Sequence, residues 1–186
     1  MKTMKLPGNA GHHAVQFYRD ATGLCLSVAD FLADGIAAAQ PLVVIATPEH
    51  RELICGELAR RRFAVERLIE AKQFVLLDAR TTLNRFFFRG KLDAFAFRET
   101  VSQAIGMVGG GRTDCTIRAY GEMVDVLWRE GKCEEAIELE ILWNDLAKRY
   151  AFSLLCGYAM GSFYKETDRR ADICALHTHV HDESIS

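Results

Sequence analysis

Four polar residues have the types and spacing to do chemistry together: Arg118, Glu122, Glu140 and Asn144. A guanidinium can hold an anionic or polar ligand group, and a neighbouring carboxylate can orient that group or accept its hydrogen bond. Two carboxylates, Glu122 and Glu140, could also share acid–base work. The bland alternative is structural: Glu122 caps a helix, Glu140 is an exposed helix charge, and Arg118 neutralises one of them in an ion pair.

The elements that must position these residues are readable around them. The apolar run Cys115–Tyr120 reads as a strand that turns at Gly121. A strand end carrying Arg118 and followed by Gly-Glu is where α/β proteins place ligand contacts. Glu122–Glu130 reads as a helix, with Met123, Val124, Leu127 and Trp128 on one face and Glu122, Asp125 and Arg129 on another. Gly131 ends it. A second helix, Glu134–Tyr150, has the core stripe Leu139, Leu142, Trp143, Leu146 and Tyr150. Glu140 and Asn144 lie one turn apart on a flank of that stripe. Ile137 and Ile141 lie on its back, as a second covering layer or a dimer contact would require.

Upstream, His13–Tyr18 alternates as a strand, and Asp20–Gly23 reads as a turn. Leu24–Ala39 reads as a helix burying Leu24, Val28, Phe31 and Leu32. Leu42–Thr47 is a continuous apolar run, the pattern of a strand covered on both faces. Thr47 can cap the next helix with Pro48 at its first position. That helix, Glu49–Arg62, should turn Leu53, Ile54 and Leu58 inward. Phe63–Lys72 reads as helical, Phe74–Ala79 as a buried strand, Thr81–Phe88 as helical, and Asp93–Val108 as a helix with Phe95, Phe97, Val101 and Ile105 at its apolar positions. Phe152–Tyr158 is a further buried strand, Gly161–Tyr164 a short turn, and Asp168–His177 a final helix. Strands alternating with helices give an α/β fold: three layers, with a mainly parallel sheet and helices on both faces.

Other chemistries find less support. No GxxxxGKS or GxxxxGKT phosphate loop exists. Gly109–Gly111 precedes a strand rather than a helix. Asp78 ends an apolar strand, where a magnesium-holding acid sits in many nucleotide hydrolases and where caps also sit. No GxSxG elbow is present, and Cys156 falls inside a buried strand, the setting of an inert thiol. Cys174 and His177 are one helical turn apart, and His177, His179 and His181 form an HxHxH tail that could hold a metal or simply be a polar end. The expectation is no catalytic residue, no cofactor and no metal.

Of 186 residues, 49% are hydrophobic, enough for one domain with a real core. A net charge of −2 offers no basic footprint for nucleic acid. No apolar run approaches a membrane span, and the N-terminus lacks a signal-peptide core. Five of the six cysteines, all but Cys133, lie in apolar regular segments, which fits a reducing cytoplasm better than a disulfide scaffold. The expected organisation is a flexible lead-in at 1–12, one domain at 13–180, and a frayed tail at 181–186.

An ordered set of segments carries a family resemblance: HAVQFY at 13–18, IATPEHR at 45–51, VLLDA at 75–79, RAYGEM at 118–123 with Leu127-Trp128, Leu139-Glu140 with Leu142-Trp143-Asn144, SLLCGY at 153–158, and Ile173-Cys174-Ala175 with His177. Together they resemble the MEDS domain, the methanogen/methylotroph DcmR sensory domain. The resemblance implies a prokaryotic, non-enzymatic signalling domain that senses small molecules such as hydrocarbon derivatives or organic acids. The implied partner is a histidine kinase or a transcription regulator. The layout is also similar to RecA/KaiC-like ATPases, whose phosphate loop would fall at Asp20–Leu24, where this chain has no lysine. The family's Cys-x-x-His corresponds to Cys174 and His177.

The expected ligand-binding residues are His13, Tyr18, Asp78, Arg118, Glu122, Trp128, Glu140 and Asn144, around one cleft at the C-terminal ends of the strands. Arg118 would be the anchor and the tryptophans the walls. The alternatives are a degenerate KaiC-like nucleotide-binding protein and an interaction module that docks a kinase or a second copy of the chain.

Overall fold

The computed structural model describes residues 12–108, 115–163 and 167–182. The expected lead-in before His12, the Gly109–Gly111 loop, Tyr164 and the end of the tail lie outside them.

Five apolar runs become parallel strands, and a sixth strand joins them. The strands are β1 (His12–Tyr18), β2 (Leu42–Ala46), β3 (Phe74–Asp78), then β6 (Ile117–Gly121), β7 (Phe152–Ala159) and β8 (His179–Asp182). They pair in the order β3-β2-β6-β7-β1-β8, every pair parallel. Between β3 and β6 a two-stranded antiparallel hairpin, β4 (Phe87–Phe88) and β5 (Lys91–Leu92), stands apart from the sheet.

Strand alternation sends successive side chains to opposite faces, and two separate cores result. On one face Ala14, Val44 and Leu155 pack with Leu24, Phe31, Ile54, Leu58 and Val65. These come from α1 (Ala21–Ala37), α2 (Pro48–Arg60) and α3 (Val65–Glu70). On the other face Val15, Phe17, Val43, Ile45 and Leu154 pack with Leu83, Phe97, Leu127, Leu139, Trp143 and Ile173. These come from α4 (Ala79–Leu83), α5 (Ala94–Met107), α6 (Met123–Arg129), α7 (Cys133–Ala147) and α8 (Thr167–Ala175). The result is the three-layer α/β architecture expected.

The following helix changes face at three neighbouring strand pairs: at β3 and β2, where α4 and α2 lie on opposite faces, and at the pairs β2–β6 and β1–β7. β2 runs into α2 on one face, whereas its neighbour β6 runs into α6 on the other. β1 runs into α1, whereas its neighbour β7 leads by a 3-10 turn (Met160–Phe163) toward α8 on the opposite face. Crevices at such switch points, outside the carboxyl ends of the strands, are where open α/β sheets hold ligands.

Several local expectations are corrected. Asp20 is the N-cap of α1 and accepts from the Gly23 N–H at 2.9 Å, so the expected turn is the helix's first turn. Thr47 stands at the N-cap of α2 but makes no side-chain cap, while Pro48 follows as expected. In α2, Leu53 is exposed and His50 is buried in its place. The segment 81–88 is a short helix followed by a hairpin, with Arg89 and Gly90 at positive φ in its turn. Phe95 points outward. The end of the HxHxH segment, expected to be frayed from 181 on, forms edge strand β8 from His179, pairing Ala14 with His179 through Phe17 with Asp182. Gly131, at φ 73°, does end α6.

Candidate functional site

Two polar clusters are buried against the central strands, one at their carboxyl ends and one under the α7 face. The first lies on the switch-point edge. Glu122, directly after β6, reaches across to β2: its backbone N–H donates to Ile45 O, and its Oε1 accepts the Thr47 N–H at 2.5 Å. Its Oε2 accepts from His50 Nδ1 at 2.7 Å and from the Tyr120 hydroxyl at 2.8 Å. Burial alone would raise this carboxyl. The His50 hydrogen bond and charge, together with the hydrogen bonds from Thr47, outweigh it and hold Glu122 below the ordinary value. The same hydrogen bond raises His50.

One strand pair over, Asp125 performs the corresponding task for β1 and β7. Its Oδ2 accepts from the Tyr18 hydroxyl at 2.9 Å, and its Oδ1 accepts the Ala159 N–H at 2.9 Å. Arg129, one helical turn on, lies 2.8 Å from Asp125 Oδ2 and also donates to the Tyr18 hydroxyl. Burial raises Asp125 and outweighs these partners. Asp125 is 4% exposed along its side chain and Arg129 is 48% exposed, so the guanidinium alone carries this buried network to the surface. Tyr18 meets the His50 ring edge-on at 6.0 Å, which joins the two halves.

The second cluster lies inside the α7 face of the sheet. His13 Nε2 is 3.1 Å from Glu140 Oε2 and 3.3 Å from Cys156 Sγ. Cys156 Sγ and His177 Nε2 are each 3.5 Å from the same Glu140 oxygen. The outer atoms are also held: Tyr158 donates to Glu140 Oε1 at 2.9 Å, His13 Nδ1 donates to Asn144 Oδ1 at 2.9 Å, and His177 Nδ1 donates to Ile173 O at 2.7 Å. Burial raises the Glu140 carboxyl, but the two imidazoles bring it well below the ordinary range. The Cys156 thiol is pushed far up by burial and by Glu140. These four side chains are the group among the described residues whose ligand atoms, all within 4.8 Å of one another, could hold a metal.

The eight expected residues therefore do not surround one cleft. Tyr18 and Glu122 reach the switch-point edge. His13, Glu140 and Asn144 join the buried cluster on the α7 face. Arg118, the second residue of β6, stands at the opposite end of its strand from Glu122 and points to the α1 face. There it donates to Phe31 O at 2.9 Å and to Gln40 Oε1 at 2.7 Å, with its guanidinium 4.9 Å from the Phe31 ring. Burial lowers its pKa. Arg118 thus pins α1 to the sheet. A pocket of about 300 Å³, lined by residues including Ile36, Gln40, Leu42, Leu68 and Gln73, lies beside that Gln40 contact, remote in the fold from both clusters. Asp78 caps α4 by accepting the Thr81 N–H at 2.7 Å and pairs with Arg51 at 3.5 Å. Trp128 is core, stacked 4.7 Å from Phe163 and edge-on to Tyr158.

Sequence reasoning passed over His50, Asp125, Arg129, Cys156 and Tyr158 as site members. Asp125 and Arg129 did carry a signal, the shared face with Glu122. Strand parity carried another: His13, Cys156 and Tyr158 share a face that Arg118 and Tyr120 cannot share.

These features define a doubly wound α/β domain whose six-stranded sheet is all-parallel, with buried charge at its switch points. The family model for the methanogen/methylotroph DcmR sensory domain, MEDS, matches residues 12–178, and the chain belongs to that family. No curated protein matches the chain. No helix among the described residues is long and apolar enough to cross a membrane.

Proposed function

We propose that the chain is a sensory domain that binds a small anionic or polar organic molecule at the switch-point edge and passes its state to a partner protein, without turnover. Membership of a sensory family supports the signalling role. The observation that carries the site is the Asp125 carboxylate, which ties β1, β7 and the half-exposed Arg129 in one buried network. A ligand anion on Arg129 competes with Asp125 for the same guanidinium. Any change there reaches two central strands, so ligand can favour one of two packings. Glu122, His50 and Tyr18 form the floor. The partner would be a histidine kinase or a transcription regulator, reached in the cytoplasm. All six cysteines are free thiols, in keeping with that compartment. The half-exposed Ile141 on α7 offers an apolar spot for a partner or a second copy.

The test is a thermal-shift screen with organic acids, halocarbons and ATP with magnesium. One organic class should raise the midpoint, and Arg129→Ala should abolish the rise while retaining the apo midpoint within a few degrees. A rise with ATP and magnesium alone would instead favour a degenerate KaiC-like nucleotide binder. That reading meets an obstacle in Asp20, whose carboxylate already occupies the α1 N-terminus. No rise with any compound would sink the small-molecule reading and leave the interaction module.

A further inference from the structure

We propose that His13, Glu140, Cys156 and His177 form a closed binding site for one zinc ion. Four-coordinate zinc takes Cys, His and carboxylate ligands at about 2.0–2.3 Å, so the ligand atoms lie about 3.3–3.7 Å apart along tetrahedral edges. Four of the pairwise separations here are 3.1, 3.3, 3.5 and 3.5 Å, and all four atoms lie within 4.8 Å. The side chains of His13, Glu140 and His177 are at most 3% exposed, and Cys156 is fully buried.

The outer hydrogen bonds set the ring nitrogens for this task. Asn144 Nδ2 donates to Leu176 O, so its Oδ1 must accept, and His13 Nδ1 must carry the proton. Ile173 O can only accept, so His177 Nδ1 must carry its proton too. In the neutral rings both Nε2 lone pairs then face Glu140 and Cys156. His177 Nε2 is buried and has no hydrogen-bond partner among the described residues. Metal-ligating histidines are held in this way, with the far N–H on a carbonyl oxygen. Two lone pairs, a carboxylate and a thiol that converge in a dry site form a ligand set that one cation can share. A divalent ion supplies one as the Cys156 thiol releases its proton to solvent. A mixed nitrogen, sulfur and oxygen set suits zinc or cobalt rather than magnesium or calcium.

The ligands come from β1, α7, β7 and the connection between α8 and β8. The ion would therefore fasten the C-terminal segment onto the sheet. Cys174 has no part in the quartet, so the Cys-x-x-His pair is split, and His179 and His181 lie on β8 outside it.

The test starts with the full chain, stripped with chelator and titrated with zinc or cobalt. One equivalent should bind, raise the melting midpoint, and slow proteolytic cleavage near residue 177. The cobalt form should show a thiolate-to-cobalt charge-transfer band, a readout that needs no variant. Cys156→Ser should lose that band and most of the affinity. Cys174→Ser, His179→Ala and His181→Ala should keep both. The proposal is overturned by the absence of stoichiometric binding, by a cobalt spectrum with no thiolate band, or by binding lost with His179 or His181 instead. In each of those cases the cluster is a proton-sharing carboxylate–imidazole pair.

Discussion

The Asn144 carboxamide decides which ring nitrogen of His13 faces Glu140. Its Nδ2 is committed to Leu176 O, so its oxygen can only accept from His13 Nδ1. A residue on α7 thereby fixes the tautomer of a residue on β1. Replacing it with Ala frees the ring to turn and to protonate at either nitrogen. Loss of such an outer partner weakens metal binding by about 10–100-fold. Asn144→Ala should show that loss in a competition titration against a chromogenic chelator, while one equivalent still binds at high zinc. Unchanged affinity would mean that His13 is oriented by packing against the His177 ring, 4.1 Å away, and not by the amide.

The His50–Glu122 pair gives stability a defined pH window. His50 is raised, so its contribution is complete below the ordinary imidazole value of 6.5 and fades as pH rises through the higher folded value. Glu122 is lowered, so its contribution is present above the ordinary carboxylate value of 4.5 and is lost as pH falls through the lower folded value. His50→Gln keeps a neutral donor and removes only the charge. Denaturant titrations should find wild type ahead of His50→Gln by its largest margin between pH 4.5 and 6.5, with the margin shrinking as pH rises through the raised His50 value. A margin that stays the same as pH rises above 6.5 through the higher folded value would show that the ring is held neutral.

Arg118 was legible as special but not as to its purpose. Its strand, the helices on either side and the three-layer fold follow from apolar runs and helical spacing, which a sequence displays directly. Strand order does not show itself that way, and it alone reveals that β6 lies between β2 and β7. Arg118 and Glu122 are four residues apart in sequence. A strand rises about 3.3 Å per residue, so they stand at opposite ends of the sheet. The hairpin at 87–92 was hidden because Phe86, Phe87 and Phe88 have no period, and only Phe86 is fully buried. β8 was hidden because a short edge strand of His179, Val180, His181 and Asp182 has a single aliphatic residue and so little apolar signature. The zinc quartet is assembled from four elements far apart in sequence, so no local spacing announces it.

The role of Arg118 can be tested from its neighbour. A Cβ at Gly35 would lie 2.8 Å from Arg118 Cδ and 2.9 Å from Leu42 Cδ2. Gly35 is inside α1, where Ala is favoured by about 1 kcal/mol on propensity alone. Crowding of a packed interior costs about 1–3 kcal/mol and acts against that gain. Gly35→Ala should therefore lower stability, and adding Arg118→Ala should not restore it, because the Phe31 carbonyl then loses its donor. Equilibrium unfolding of the single and double variants decides this. A stabilised Gly35→Ala protein would show that the Arg118 side chain moves aside freely and does not pin α1.

Gly157 connects packing to the proposed ligand floor. It lies in β7, on the α1 face, beneath the Tyr120 ring. A Cβ there would stand 2.7 Å from Tyr120 Oη and 3.3 Å from its Cε2, so the ring must shift. Tyr120 is fully buried, and its hydroxyl donates to Glu122 Oε2 beside His50. Gly157→Ala should destabilise the fold by about 1–3 kcal/mol through overpacking. It should also draw the Tyr120 hydroxyl off Glu122 and leave that carboxylate to His50 and Thr47. Tyr120→Phe removes the same hydrogen bond without the crowding. If the hydroxyl matters for ligand response, both variants should change the ligand-induced thermal shift alike while differing in their apo midpoints. A ligand response lost only in Gly157→Ala would assign the effect to strand distortion, and one retained in both would show that the floor residue Glu122 does not need the Tyr120 hydroxyl.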